Sequence, residues 1–392
     1  MDKKKIKVAI LAISSVLMAS MTISAILADI LNYYPKVGQS IIQMVLTLPA
    51  LLGMVFALVS GPLSTRISKK NIVIFGLLCG FFGGALAFLM GGISIYVLLI
   101  ASAFIGVGQG INSTLSMALI SDYFQGEECS TLMGLQSAFV NLGGMVILLI
   151  SGVLAGMDWR SSYLIYVIFI PVLLLVIKGL PKEAPIKEVA STAKEKSKLN
   201  YVVYSTCFLV FCYACFLFVF QSNVSLVIAT NSLGNATSGG LANSFMVAIG
   251  AFTGFAYGHI KRIFKSYLIS VGIIVTAFGM LMVFAVGNLI SVFVAAGCAG
   301  FGLSTIMPTA IFNVSSSVKP ELSATAIALT TSASNVGMFV SPFIINRISN
   351  SLHYEDIGLR FLIAAISLVV LAGVSLLVNS RVSKTQENIG LN

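Results

Sequence analysis

Ser102, Gln109 and Ser116 recur every seven residues in one apolar run, and Asn112 and Ser113 fall beside them. At 100° per residue of an α-helix these side chains form one polar face about 60° wide. Hydroxyls and carboxamides donate and accept hydrogen bonds but do not trade protons near neutral pH. The chemistry open to such a face is recognition of a polar ligand or hydrogen bonding between helices. Two more carboxamides, Asn141 and Asn335, lie near the centres of other apolar runs. Each stands 200° around its helix from the glycine two residues later. If Gly143 and Gly337 pack on neighbouring helices, the amides point elsewhere, inward toward a ligand or into packing. Tyr213 lies near the centre of YVVYSTCFLVFCYACFLFVF, a run too rich in aromatics for all of it to line a pocket. Gln109, Asn112, Ser113, Asn141, Tyr213 and Asn335 are therefore the candidate substrate-binding residues.

The residue types that carry catalysis are poorly placed. Cys212 and Cys215 form a C-x-x-C, but inside an apolar helical run, where two small apolar side chains serve packing rather than redox or zinc chemistry. His259 and His353 sit alone at run edges. No ligand cluster exists, so neither a metal nor a cofactor is expected. G-x-S-x-G, H-E-x-x-H and G-x-x-x-x-G-K-[ST] are all missing, which argues against an enzyme and against ATP-driven work. No Asp, Glu, Lys or Arg falls in the middle of an apolar run. Asp29, near the end of the first run, is the nearest acid, either a titrating group or a solvated helix-end residue. A buried charge usually marks an ion pathway, so proton coupling has no evident carrier.

The elements that hold these residues follow from composition. Hydrophobic residues make up 58% of the chain and charged residues 9%, against about a quarter charged in soluble domains. A bilayer span takes about 20 apolar residues. Twelve runs qualify, at about 8–31, 41–60, 71–91, 95–119, 130–153, 162–180, 201–222, 238–258, 267–287, 289–312, 323–346 and 357–378. The first follows MDKKKIK and exceeds the 7–15 apolar residues of a secretion signal, so it reads as a retained span. With an inside N-terminus, every Lys and Arg falls on the cytoplasmic side except Lys36, Arg160, Arg347 and Arg360. That asymmetry orients the chain with both termini cytoplasmic, in the cell membrane. The net charge of +10 then reports topology and attraction to anionic lipid, not nucleic-acid binding.

The chain reads as two halves. LPKEAPIKEVASTAKEKSKLN is the longest polar segment and suits a solvated linker. It separates an N-terminal bundle of six spans, 1–180, from a C-terminal bundle of six, 201–392, with 181–200 between them. GVGQG from Gly106 is echoed by GFGLS from Gly300, and NLG from Asn141 by NVG from Asn335, both at an offset of 194. Arg66, in VSGPLSTRISKK, is echoed by Arg262, in GHIKRIFK, at 196. A nearly constant offset between corresponding spans argues for internal duplication. Gly106 and Gly110, like Gly250, Gly254 and Gly258, have the spacing of close helix contacts.

With these features the whole chain resembles the major facilitator superfamily of secondary transporters. Gly61, Leu63, Arg66, Lys69 and Lys70 match the family's basic turn between its second and third helices, while Ser64 replaces the usual acid. The resemblance implies an all-α membrane protein of two pseudo-symmetric six-helix bundles. It also implies that the turn latches the cytoplasmic side, with Gly61 allowing close approach, Pro62 ending the helix, Arg66 pairing with Asp122, and Arg262 as the echo. A purely topological role for the turn's charge stays open beside this. Helix 4 borders the central cavity in the family, which makes its polar stripe the first choice for substrate contacts. At the equivalent positions of the tenth span stand Leu303, Ile306 and Met307, so the lining is polar on one wall and apolar on the other. The expected activity is alternating-access transport of a small neutral or amphipathic organic solute, with a proton or sodium ion as candidate coupling ion. Ser64, Ser102 where the family often has arginine, and Ile147–Leu148 where drug antiporters have Gly-Pro count against the alternative, a proton-coupled drug or metabolite exporter. A non-transporting receptor on the same fold is more remote.

Overall fold

The computed structural model describes residues 3–64, 66–181, 200–318, 320–351 and 357–388. Nearly all of the 181–200 linker, together with Lys319 and His353, lies outside them. Among the described residues twelve helices are long and apolar enough to cross a membrane. They are helix 1 (Lys3–Tyr33), helix 2 (Gln39–Ser64), helix 3 (Lys69–Met90), helix 4 (Ile95–Tyr123), helix 5 (Gly126–Ala155) and helix 6 (Trp159–Gly179). Helix 7 (Tyr201–Thr230), helix 8 (Ala236–Phe264), helix 9 (Leu268–Val286), helix 10 (Leu289–Ser316), helix 11 (Pro320–Ser351) and helix 12 (Ile357–Asn388) complete the set. No strand occurs among the described residues. A bilayer offers the backbone no hydrogen-bond partners, so a spanning chain must satisfy its amides within each helix.

Several helices outrun the apolar segments that announce them. Helix 4 continues to Tyr123 and helix 7 to Thr230, because a formed helix adds one hydrogen bond per further residue whatever the side chain. Pro62 does not end helix 2, which runs to Ser64. In the last turn a proline forfeits one ladder bond and is tolerated. Two helices are irregular. Helix 1 loses α-geometry after Ser15, turns through Val16–Met18 and passes a 3₁₀ turn at Ala19–Met21 before resuming at Thr22. Helix 6 opens with a 3₁₀ stretch, Trp159–Ile168, and becomes α-helical at Phe169. Asp158 caps it by accepting the Arg160 backbone N–H at 3.2 Å.

By internal contacts the chain forms two units, residues 1–194 with 235–244, and residues 195–234 with 245–392. In the first, helix 3 packs on helices 4 and 6, and helix 1 on helices 5 and 6. In the second, helix 9 packs on helices 10 and 12, and helix 7 on helices 11 and 12. The duplication extends to single glycines. A Cβ on Gly108 would collide with the Gly76 carbonyl, and one on Gly302 would lie 3.1 Å from the Gly272 carbonyl. Likewise Gly143 abuts the Ser15 carbonyl of helix 1, and Gly337 the Phe211 carbonyl of helix 7. The start of helix 8 joins the first unit. There Gly240 meets Gly152, and the Thr237 hydroxyl donates to the Gly152 carbonyl at 2.9 Å.

Candidate functional site

Helix 4 is positioned by three glycines that face two neighbours. Gly106 and Gly110 back onto helix 2, where a Cβ on Gly106 would stand 2.7 Å from Pro49 Cα and one on Gly110 would strike Gly53. Gly108 backs onto helix 3 at Gly76. With those faces spent on packing, Gln109 and Asn112 turn toward the break in helix 1. They line a small pocket with Ile105 and Gly108 from helix 4, Val16, Leu17, Ala19 and Ser20 from the break, and Phe169 from the start of α-geometry in helix 6. Helix 1 thus contributes its irregular backbone to this pocket, and helix 6 the first residue after its own irregular stretch. Irregular backbone at membrane depth is tolerated where protein or a cavity surrounds it. The free volume is about 10 Å³, enough for one water.

Two of the pocket's polar atoms are acceptors without donors. Asn112 is 2% exposed, and its Oδ1 has no hydrogen-bond partner among the described residues; the same holds for Gln109 Oε1. An unpartnered buried acceptor costs about 1–3 kcal/mol, so each amide oxygen favours a donor brought by a bound molecule. Ser102, also buried, has no partner for its hydroxyl oxygen among the described residues, two turns from Gln109. The rest of the stripe is already engaged. Ser113 Oγ donates to the Gly110 carbonyl at 3.0 Å. Ser116 Oγ donates to the Ser113 carbonyl and accepts from Gln136 Nε2 of helix 5 at 3.4 Å.

The other candidate binding residues stand elsewhere. Asn141 is half-buried, and its Nδ2 donates to the Ser137 carbonyl of its own helix at 3.0 Å. Asn335 is half-buried on helix 11. Tyr213 is 1% exposed; its hydroxyl bonds to Thr276 Oγ1 of helix 9 at 3.2 Å and packs over Gly302 of helix 10. A tyrosine hydroxyl bonded within a helix junction holds helices together. Gln109 and Asn112 therefore meet at one pocket of the first unit, with Ser113 beside it. Asn141 of the same unit is not among its lining, and Tyr213 and Asn335 belong to the second unit.

The basic turn departs from expectation in its partner. Asp122 at the end of helix 4 binds Lys69 Nζ at 2.7 Å, not Arg66. Arg66 is exposed, and Ser64 Oγ returns to the Gly61 carbonyl at 2.7 Å. Nothing lies within 4 Å of a Cβ on Gly61, so the close approach expected there is absent. Lys69 opens helix 3 and Asp122 closes helix 4, each at the end of the helix dipole that disfavours its charge. Their pairing offsets both, which a topological signal alone does not require. Lys70 Nζ reaches the Ile177 and Leu180 carbonyls at 2.6 Å each, capping the C-terminus of helix 6. Arg262 is exposed on the last turn of helix 8; the neighbouring Lys261 lies 3.5 Å over the Phe312 ring.

Arg360 is the main residue that its place in the sequence undervalued. Counted as an outer-end residue, it is 6% exposed, and its Nη1 donates to Asn223 Oδ1 of helix 7 at 2.9 Å. The second unit is also less apolar inside than the sequence reading had it. Besides Tyr213 and Thr276, Tyr257 bonds to Thr309 at 2.9 Å, and Gln221 is 3% exposed. The available signal was QSNVS in helix 7, four polar residues in five positions within an otherwise apolar run.

Residues 8–342 match the family model described as Major Facilitator Superfamily. Solved structures share the fold over nearly the whole chain. A peptide transporter POT in complex with sulfate aligns at TM-score 0.77 and 12% identity, covering 97% of this chain and 95% of that one. The POT family transporter PepTSo aligns at 0.76 and 12%, covering 97% and 98%. A bacterial homologue of the human lysosomal transporter Spinster, inward-facing and occupied, aligns at 0.73 and 14%, covering 98% and 97%.

Proposed function

The chain belongs to the Major Facilitator Superfamily and is a multi-pass membrane transporter, and on that premise we propose that it carries a small neutral or amphipathic organic solute by alternating access. The family and its structural neighbours point to transport rather than catalysis. The observation that carries the reading is the pair of buried amide oxygens, Gln109 Oε1 and Asn112 Oδ1, that lack donors beside the break in helix 1. Acceptors without a fixed cation select a donor-bearing neutral molecule. The charge distribution supports the same class, because each charged side chain described in a span lies within five residues of the span's end. The pocket is far smaller than the roughly 300–1,000 Å³ of a small-molecule site. The reading therefore requires a second state in which helices 1 and 4 separate. Asn141, Tyr213 and Asn335 belong to the proposed substrate path in that state, and the Asp122–Lys69 pair, with Arg262 on the corresponding turn of the second half, to the proposed gate; Gly61 and Arg66, which make no such contact, drop out of it.

A ligand-induced thermal-shift screen of the purified protein, followed by uptake into liposomes with and without a proton or sodium gradient, tests this. Gln109→Ala and Asn112→Ala should each weaken the hit about fivefold, since a neutral hydrogen bond is worth about 1 kcal/mol. Unchanged affinity in both variants assigns the stripe to packing. Stimulation of export by an inward proton gradient would instead favour a proton-coupled drug or metabolite antiporter. Binding without counterflow would favour a receptor.

A second reading draws on Arg360. A buried guanidinium is the residue expected opposite a carboxylate, so a carboxylate-bearing solute is the competing substrate class. Competition by simple carboxylates, lost in Arg360→Gln, separates it from the first. We further propose the cell membrane as the location, with both termini cytoplasmic, on the distribution of lysine and arginine.

A further inference from the structure

We infer that the groove between the start of helix 1 and the end of helix 6 is a specific seat for an anionic phospholipid. It is lined by Lys4, Lys5, Val8, Leu175, Lys178 and Gly179, and holds about 350 Å³. Val8 and Leu175 are exposed and supply an apolar wall inside the membrane-spanning segments. The lysines stand at the rim. This gradient, apolar below and cationic above, follows a phospholipid with one negative headgroup: an acyl chain beside Val8 and Leu175, a phosphate at Lys4 and Lys178.

Four further observations favour an anion here. Helix 1 begins at Lys3, so its first backbone N–H groups and the positive end of its dipole face the rim. Among the described side chains, two acids at this end of the first unit are already engaged by other lysines, Asp122 with Lys69 at 2.7 Å and Glu128 with Lys3 at 3.4 Å. Neither Lys4 nor Lys178 makes an ion pair or hydrogen bond among the described residues, and both are exposed. The carbonyls at the end of helix 6 do not oppose an anion, because Lys70 caps those of Ile177 and Leu180. Beneath the groove the two helices touch, with a Cβ on Gly179 placed 2.8 Å from the Lys5 carbonyl. A lipid seated across this joint ties helix 1 to helix 6 from outside, and its occupancy sets how freely helix 1 moves.

The test uses the full-length protein in neutral detergent, with dioleoylphosphatidylglycerol, dioleoylphosphatidylcholine or inorganic phosphate added in turn, read by thermal shift. Phosphatidylglycerol should raise the melting temperature at concentrations where phosphatidylcholine does not. A lysine near the surface contributes about 1 kcal/mol toward anionic lipid, so Lys4→Gln with Lys178→Gln should weaken that effect about thirtyfold. The charge-matched control, Lys36→Gln with Lys265→Gln, should leave it unchanged. If the double variant does not survive purification, native mass spectrometry of the unaltered protein should show phosphatidylglycerol retained in preference to phosphatidylcholine. Equal action of the two lipids overturns the proposal, as does an unchanged response in the double variant. Stabilisation by inorganic phosphate that lipid does not exceed reassigns the groove to a soluble anion and also overturns it.

Discussion

Lys69 and Asp122 show how a charge is assigned at the level of single residues. Arg66, Lys69 and Lys70 lie within five positions, and any of them has the reach to meet an acid at the end of helix 4. The helix start decides between them. Lys69 is the first residue of helix 3 and meets Asp122, Lys70 turns one position round to the end of helix 6, and Arg66 precedes the helix in solvent. Both members of the pair are about a quarter exposed, so its strength is about 1 kcal/mol or less. That is still enough to shift a two-state ratio several-fold. In liposome assays Lys69→Asp and Asp122→Lys should each slow transport about threefold, with recovery when the two are combined; Arg66→Gln should stay within twofold of the unaltered protein. A double reversal that fails to recover would leave the pair without a gating role. Raising salt should reproduce part of the loss, because half-exposed pairs are screened.

Elements are placed by glycine. Along the sequence, Gly106, Gly110, Gly143 and their echoes in the second half are legible as contact points because their spacing matches a helix turn. Which neighbour each touches is not legible, since spacing fixes a face but not the helix opposite it. The structure distinguishes glycines of one type that the sequence treats alike. Gly250 lies against Ser304 and Gly300, whereas Gly254 and Gly258 have nothing within 4 Å. Gly108→Ala and Gly302→Ala place a methyl against a backbone carbonyl and a buried Tyr213 hydroxyl. Each should destabilise by about 1–3 kcal/mol, the usual effect of overpacking, and lower the melting temperature in detergent. Gly254→Ala should leave it within measurement error. Equal effects at all three sites would mean that helix propensity, not contact, governs these positions.

For the whole molecule, the sum of many weak signals is more secure than any one of them. No single lysine orients the chain, yet adding or removing one span scrambles the asymmetry of all 23 basic residues. Reporter fusions after residue 190 and at the C-terminus should both report the cytoplasm. A reporter at 190 facing outward would invert the proposed topology. The same scale explains the mismatch at Arg360. Position along the chain locates it near a membrane surface, but burial depends on which way the helix faces, and helix 12 turns it onto Asn223 of helix 7.

The sequence alone determined what depends on local composition and period: twelve apolar spans, a duplicated chain, the polar stripe of helix 4 and the glycines that allow helices to touch. These follow from the bilayer's demand for internally bonded backbone and from helical geometry, which act within one segment. Only the tertiary structure decided what depends on a second segment. The break in helix 1 facing Gln109 and Asn112, Lys69 as the partner of Asp122, and the burial of Tyr213 and Arg360 all require knowing what stands opposite. A contact is a property of two surfaces, and one sequence pattern describes only one of them.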